Sequence, residues 1–175
     1  MLKKIFLVIL LAIVGVLVFA VTKPDTYHVE RKQMMNATPE KIINTIADLK
    51  GWTAWSPWEK LDPNMKRTYS GPESGKGAIY GWEGNKNVGK GSMEITDVKP
   101  GSRLDMDLHF LEPFASECKA AFTATAKDGQ TEVVWSMDGP ANYMTKLISV
   151  FVSMDKMVGT EFAKGLADLK TVVEK

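Results

Sequence analysis

The side chains that could take part in chemistry are few and widely separated. The two histidines, His28 and His109, have no serine, cysteine or carboxylate beside them in a nucleophile motif. No group of histidine, cysteine and aspartate has the spacing of metal ligands. The glycine-rich stretch Gly71–Gly77 lacks the lysine-then-hydroxyl ending of a phosphate loop, and a turn is expected there. We therefore predict no catalytic residue, no metal site and no cofactor.

One carboxylate, Asp155, stands out from this background. It comes four residues after Phe151 and three before Val158, within or at the edge of an apolar helical stripe. A buried carboxylate needs a partner or has a raised pKa, so Asp155 is a candidate ligand contact or general base. Alternatively, it lies at the border of the stripe and reaches water or pairs with a lysine or arginine of a strand.

Three of the five tryptophans, Trp52, Trp55 and Trp58, fall within seven residues. Tryptophan combines a large apolar ring with one hydrogen-bond donor, so three this close need a wall or a cavity to border. They either line a cavity entrance, touch lipid headgroups, or close the open end of a sheet and hold short helices in place. The segment is the first candidate for a binding surface.

The elements that must position these side chains follow from periodicity. Tyr27–Met35 is predicted as a first strand, and Thr38 and Pro39 then begin a short helix that ends at Gly51. From Lys66 onward the pattern has period two, with turn sequences between the strands. The predicted strands of this region are Lys76–Glu83, Val88–Val98, Ser102–Phe110, Ser116–Ala126 and Thr131–Asp138.

The helical period returns near the C-terminus. From Asn142 to Glu174 the large apolar residues fall on one stripe, which predicts one long final helix. Its apolar face can be buried only against the sheet, so we predict an α+β fold with a curved antiparallel sheet of about six to seven strands around that helix.

This order resembles the helix-grip fold of the START-like superfamily, also called SRPBCC, and within it the polyketide cyclase/dehydrase and lipid-transport group. The resemblance covers about Asp25 to Lys175 and depends on four short segments. These segments are Asn36–Ile42, Trp52–Trp58, Gly77–Trp82 and Gly165–Leu169. It implies an apolar cavity between sheet and final helix, open at one end. Members bind lipids, polyketides, sterols or hormones, and a minority are enzymes.

A cavity of this kind would be lined by large apolar side chains on the inward strand phases and on the final helix. The alternative for each of them is that it only fills the core. The candidate ligand-binding residues are Trp55, Trp58, Tyr80, Trp82, Met93, Phe110, Trp135, Phe151, Met154 and Asp155.

The N-terminus differs from the rest of the chain. Ile5–Val21 is a run of 17 residues without a charged or polar side chain, which predicts a membrane anchor, with a cleaved signal peptide as the alternative. Because Lys3 and Lys4 precede it, the positive-inside rule places the N-terminus in the cytoplasm and the domain in the periplasm or outside the cell. We predict an anchor at residues 1–23 and a ligand-binding domain at residues 24–175.

The charge and cysteine content limit which classes of partner this protein is expected to bind. The net charge is +1 and no basic run follows the N-terminus, which disfavours nucleic-acid binding. The single cysteine, Cys118, excludes an internal disulfide. We therefore predict a membrane-tethered, non-catalytic domain that binds a hydrophobic small molecule or lipid, with no protein partner indicated. A polyketide cyclase/dehydratase-like enzyme and a protein-interaction module with a filled interior and an exposed apolar patch are the alternatives.

Overall fold

The structure is a computed structural model that describes residues 1–175. Its five α-helices are α1 (Leu2–Val21), α2 (Pro39–Ala47), α3 (Pro57–Leu61), α4 (Tyr143–Ser149) and α5 (Met154–Val173), with a 3-10 segment at Leu49–Ala54. Its seven strands are β1 (Thr26–Met35), β2 (Lys66–Ser70), β3 (Ile79–Glu83), β4 (Lys90–Lys99), β5 (Arg103–Glu112), β6 (Ser116–Lys127) and β7 (Gln130–Pro140).

The strands form one antiparallel sheet in the order β1-β7-β6-β5-β4-β3-β2. Strands β2 to β7 follow one another as a meander, and β1 pairs with β7 at the far edge, with Thr26 opposite Pro140. The register between β4 and β5 shifts near Ile95, which is a bulge that increases local twist. The predicted α+β helix-grip fold is confirmed, with seven strands.

Helix α5 supplies the second layer of the core. Its inward side chains Phe162, Leu166, Leu169 and Val173 are each no more than 2% exposed. They lie at helical spacing on one face and pack against the concave face of the sheet. Burying this stripe removes apolar surface from water, which is the main stabilisation of the helix on the sheet.

The short segments after β1 begin where the sequence predicts. Thr38 accepts a hydrogen bond from the Lys41 amide and caps α2, and Pro39 occupies its first turn. The side chain of Asp48 then caps the 3-10 segment through the Lys50 amide. These caps satisfy amide groups that have no partner within a helix.

The prediction of one continuous final helix is wrong. Helix α4 ends at Ser149, and α5 begins at Met154 after an intervening non-helical joint. Ser153 accepts a hydrogen bond from the Lys156 amide and so acts as the N-cap of a new helix. Serine competes with helix continuation by bonding to the backbone in this way, which the apolar stripe alone does not reveal.

The N-terminal apolar helix is present. Helix α1 has 20 residues, and an 18-residue stretch within it has a mean hydropathy of 3.0 and is only 6% buried. It is long and apolar enough to cross a membrane. Its end lies against α4, where the Tyr143 hydroxyl donates to the Leu17 carbonyl at 3.3 Å.

Candidate functional site

A cavity of about 350 Å³ lies between the concave face of the sheet, the short helix α3 and the start of α5. This volume is at the lower end of the range of small-molecule sites, which is about 300–1,000 Å³. Of its 27 lining residues, 19 are hydrophobic, so most of the surface of an occupant would contact apolar side chains. The mouth is formed by the β3–β4 and β5–β6 loops, α4 and the first turns of α5.

Seven of the ten residues named from the sequence border this cavity. Strand alternation brings five of them together because residues two apart on a strand share a face, and Trp58 of α3 and Met154 of α5 face them. They are Trp58, Tyr80, Trp82, Met93, Phe110, Trp135 and Met154. Their role as ligand contacts stays a prediction, since their position alone does not identify an occupant.

The three other residues lie outside the cavity. Trp55 is fully buried in the core behind it. Phe151, expected to face inward from a continuous helix, is 73% exposed because it lies in the joint between α4 and α5. Asp155 is at the surface and pairs with Arg31 of β1, with 2.7 Å between Nη1 and Oδ1. That bond holds the pKa of the Asp155 carboxyl below its usual range. The structure therefore has the alternative expected for Asp155, an exposed carboxylate paired with a strand arginine, and corrects its placement as a ligand contact in the cavity.

The tryptophan segment is divided between core and cavity. The Trp52 indole donates to the Ile46 carbonyl at 2.8 Å and so satisfies an acceptor at the end of α2. Trp55 Nε1 is buried without a hydrogen-bond partner. Trp58 packs edge-to-face on Trp135, which stacks on Phe162 of α5 at 4.1 Å between ring centroids. The segment therefore joins helix to sheet and contributes one wall of the cavity.

A buried polar cluster interrupts the apolar lining. Glu59 borders the cavity, and its side chain is only 5% exposed. Its Oε2 accepts from Arg67 Nε at 2.8 Å and lies 2.6 Å from Nη2, and its Oε1 accepts from the Tyr80 hydroxyl at 2.7 Å. The bond to Glu59 raises the pKa of the Arg67 guanidinium, and burial raises the pKa of the Tyr80 hydroxyl.

Ser56 adds a second polar group beside Glu59. It borders the cavity and is 4% exposed, and its hydroxyl does not cap α3 although it occupies the N-cap position. The structure thus places one hydroxyl and one carboxylate, both on the same short turn, in a wall where 19 of the 27 residues are hydrophobic. Apolar pockets with a few placed polar groups are typical of small-molecule sites.

Sequence reasoning missed the cluster around Glu59. A glutamate in the first turn of a helix is usually explained by the helix dipole, so Glu59 gave no sign of burial. Its partner Arg67 lies on the edge strand β2, and the pairing depends on how that strand is placed against α3. Mouth residues such as Phe114 and Met157 were also missed, because they lie in a loop and off the apolar stripe.

The histidines lie on the outer face of the sheet. His28 Nδ1 is 2.7 Å from Asp138 Oδ1, and this hydrogen bond raises the pKa of His28. His109 is 3.6 Å from Glu117. No group of three or more histidine, cysteine, aspartate or glutamate side chains could hold a metal ion.

The sequence matches the model of a protein family described as "Polyketide cyclase / dehydrase and lipid transport" over residues 26–174. The chain belongs to this family. The resemblance to the START-like superfamily is therefore confirmed, and the matched range contains the whole sheet and α5. No curated protein matches the sequence.

Solved structures with the same fold share little sequence with this family member. A protein from Chromobacterium violaceum has 14% identity and a TM-score of 0.60, with 87% of this chain and 99% of that chain covered. The major latex-like protein 151 of ginseng, Panax ginseng, has 11% identity and a TM-score of 0.59, with 87% and 100% covered. A hypothetical protein from Helicobacter pylori has 11% identity and a TM-score of 0.63, with 87% and 90% covered. At such identities the likeness shows the fold alone.

Proposed function

We propose that this protein is a membrane-tethered domain that binds a hydrophobic small molecule or lipid in the cavity and does not catalyse a reaction. The observation that carries the proposal is the cavity, a volume of about 350 Å³ with a predominantly apolar lining. Bringing an apolar occupant out of water into this space is favourable in proportion to the area buried. The family description, which includes lipid transport, is consistent with that class of ligand.

The tether is proposed from α1. Its 20 residues span about 30 Å at 1.5 Å per residue, which equals the thickness of a bilayer core. We propose residues 1–23 as the anchor and residues 24–175 as the ligand-binding domain. Lys3 and Lys4 at the start of the helix favour a cytoplasmic N-terminus and an external domain. Alkaline extraction of membranes and protease access in intact cells test the tether and its orientation.

The enzyme alternative loses the residue that motivated it. Asp155 is exposed and bonded to Arg31 instead of facing the cavity. The buried acid at the cavity is Glu59, and both of its oxygens are engaged by Arg67 and Tyr80. These bonds hold the carboxylate in place as a fixed hydrogen-bond acceptor, so we infer that binding is the function that this geometry favours.

The test of ligand binding is native mass spectrometry of the full chain extracted from its own membranes in mild detergent. We expect a co-purified apolar molecule in the parent and much less in Ala120→Phe, because Ala120 borders the cavity and a phenyl ring there occupies part of it. The matched control is Ala121→Phe, since the neighbouring side chain points to the other face of β6. An empty cavity in every parent preparation would contradict the proposal.

A further inference from the structure

The hydrogen-bonding capacity of Glu59 and Ser56 limits which polar head group of a ligand can bind beside them. A carboxylate offers about four acceptor positions. Glu59 uses one on Oε2 for Arg67 Nε, with Nη2 also 2.6 Å from that oxygen, and one on Oε1 for Tyr80, which leaves a position on Oε1. The adjacent Ser56 hydroxyl can both donate and accept. A group that donates to Glu59 and accepts from Ser56 would satisfy both.

The negative charge of Glu59 disfavours ligands with an anionic head group. Glu59 borders the cavity, whereas its counter-ion Arg67 lies behind it and is not part of the lining. A carboxylate or phosphate that entered this end of the cavity would therefore meet the Glu59 carboxylate first. Like charges repel strongly at short range where water is excluded.

We propose that the ligand is an apolar molecule with a neutral hydroxyl at one end, held by Glu59 and Ser56. This inference rests on the proposed function, because it names the ligand class of the same cavity. A hydroxyl is both a donor and an acceptor, so it matches the two free positions. Anionic lipids of similar chain length are rejected by Glu59.

The test compares dodecanol with dodecanoate, which share a chain and differ in the head group. Each is added to the full chain in mild detergent, and the bound fraction is measured by native mass spectrometry. We expect dodecanol to bind at least tenfold more tightly. Ser56→Ala should reduce that preference by about threefold to tenfold through one lost hydrogen bond, whereas the control Ser92→Ala, on the outer phase of β4, should not.

The outcomes separate the two proposals. If dodecanoate binds as well as dodecanol, the head-group assignment is wrong and the binding function stands. If neither binds to the parent, both are wrong. Glu59→Gln provides a second check: it should increase dodecanoate binding because it removes the repelling charge, and no change would contradict the proposed role of that carboxylate.

A separate set of side chains lies around the cavity mouth. We call Phe114, Phe151, Val152 and Met157 the apolar rim; they are 46%, 73%, 38% and 46% exposed. Phe114 and Met157 also line the cavity, and the two helices that flank Phe151 and Val152 contribute lining residues. Exposed apolar groups that cluster in this way mark an interaction surface.

The anchor determines what this surface faces. Ala20 of α1 is fully buried against the domain, and Lys146 of α4 pairs with Asp25 just after the anchor. Tyr143 of α4 reaches the carbonyl of Leu17, four residues before the end of α1 at Val21. Four residues correspond to about 6 Å along a helix, so α4 lies beside the last turn of the membrane-spanning segment.

We propose that the apolar rim inserts into the surface of the bilayer that α1 spans, so that the cavity mouth opens onto the lipid. This rests on the tether of the proposed function. Because the length of α1 equals the thickness of the bilayer core, its last turn lies at the bilayer surface when the helix spans the membrane. Helix α4 contacts that turn and therefore lies at the same surface. Interfacial helices bury their apolar face about 5–10 Å into this region. An apolar ligand can then enter without crossing water.

The test uses the full chain in lipid vesicles with one cysteine in a Cys118→Ser background, labelled with an environment-sensitive fluorophore. Phe151→Cys reports on the rim, and Lys127→Cys is the control because the β6–β7 turn is at the opposite end of the sheet. We expect doxyl-labelled lipids to quench the label at 151 at least fivefold more than the label at 127.

Three results would contradict the proposal, and they distinguish which part of it is wrong. If the chain does not float with the vesicles, the tether is wrong and the docking of the rim with it. If it floats and the label at 151 is no more quenched than the label at 127, only the docking is wrong. If the label at 151 is shielded from iodide yet not quenched by lipid, protein covers the rim instead of the bilayer.

Discussion

The substitution Arg67→Met tests whether the Glu59–Arg67 pair is desolvated as the structure shows. The side chain of Glu59 is 5% exposed and that of Arg67 is 25% exposed, and the guanidinium donates from Nε to Oε2 with Nη2 2.6 Å from the same oxygen. Methionine keeps much of the length of the side chain and removes its charge. The buried carboxylate of Glu59 is then left with the Tyr80 hydroxyl as its only side-chain partner.

The expected cost follows from burial. Removing one member of a buried ion pair typically costs about 3–5 kcal/mol, because the remaining charge is uncompensated. Since Arg67 is partly exposed and Tyr80 still donates to Glu59, we expect the lower end, about 3 kcal/mol. For a protein of this size, that corresponds to a decrease in Tm of about 6–12 °C.

The chain offers a close control in Arg103→Met. Arg103 binds Asp105 at comparable distances, 2.6–3.0 Å from Nε and Nη2, yet the two side chains are 42% and 32% exposed. Exposed ion pairs contribute about 0–1 kcal/mol, so this substitution should cost at most about 1 kcal/mol. The difference between the two variants isolates the effect of burial.

Urea unfolding of the full chain in mild detergent, followed by far-UV circular dichroism, measures both free energies. The double variant Glu59→Gln, Arg67→Met should recover part of the stability, because the uncompensated charge is gone. If Arg67→Met costs no more than Arg103→Met, Glu59 is not desolvated at the cavity wall. The arguments for its role in the ligand site would then fail.

Two further predictions concern the tryptophan segment and the outer face. Trp52→Phe should cost about 1–3 kcal/mol more than Trp55→Phe in unfolding experiments, since it leaves the Ile46 carbonyl unpaired whereas Trp55 Nε1 has no partner to lose; equal costs would contradict this. His28→Gln should lower stability at acidic pH. The hydrogen bond to Asp138 raises the folded pKa of His28, so its contribution is complete below the unfolded value of about 6.5 and is lost as pH rises through the folded value. Because the His28 side chain is half-exposed, the loss of unfolding free energy should stay below about 1 kcal/mol. A loss at pH 9 as large as that at pH 5 would contradict this assignment.

Local patterns in the sequence were sufficient for the elements and the family. Alternation along segments such as Ser102–Phe110 predicts strands because one face is wet and the other buried, and the structure has β5 at Arg103–Glu112. Thr38 and Pro39 predict the start of α2 through capping chemistry that acts over three residues. The uninterrupted apolar run Ile5–Val21 predicts α1 from length and composition alone.

Tertiary structure decided which of these residues meet at the site. Phe151 does not lie on the predicted helical stripe, because the Ser153 cap begins a new helix after it. Asp155 pairs with Arg31, which lies on a strand far away in sequence. The polar group that does border the cavity is Glu59, whose burial depends on Arg67 from an edge strand. Periodicity reports which face of an element is apolar, but the partner of a buried charge comes from another element, so only the folded chain shows where that charge lies.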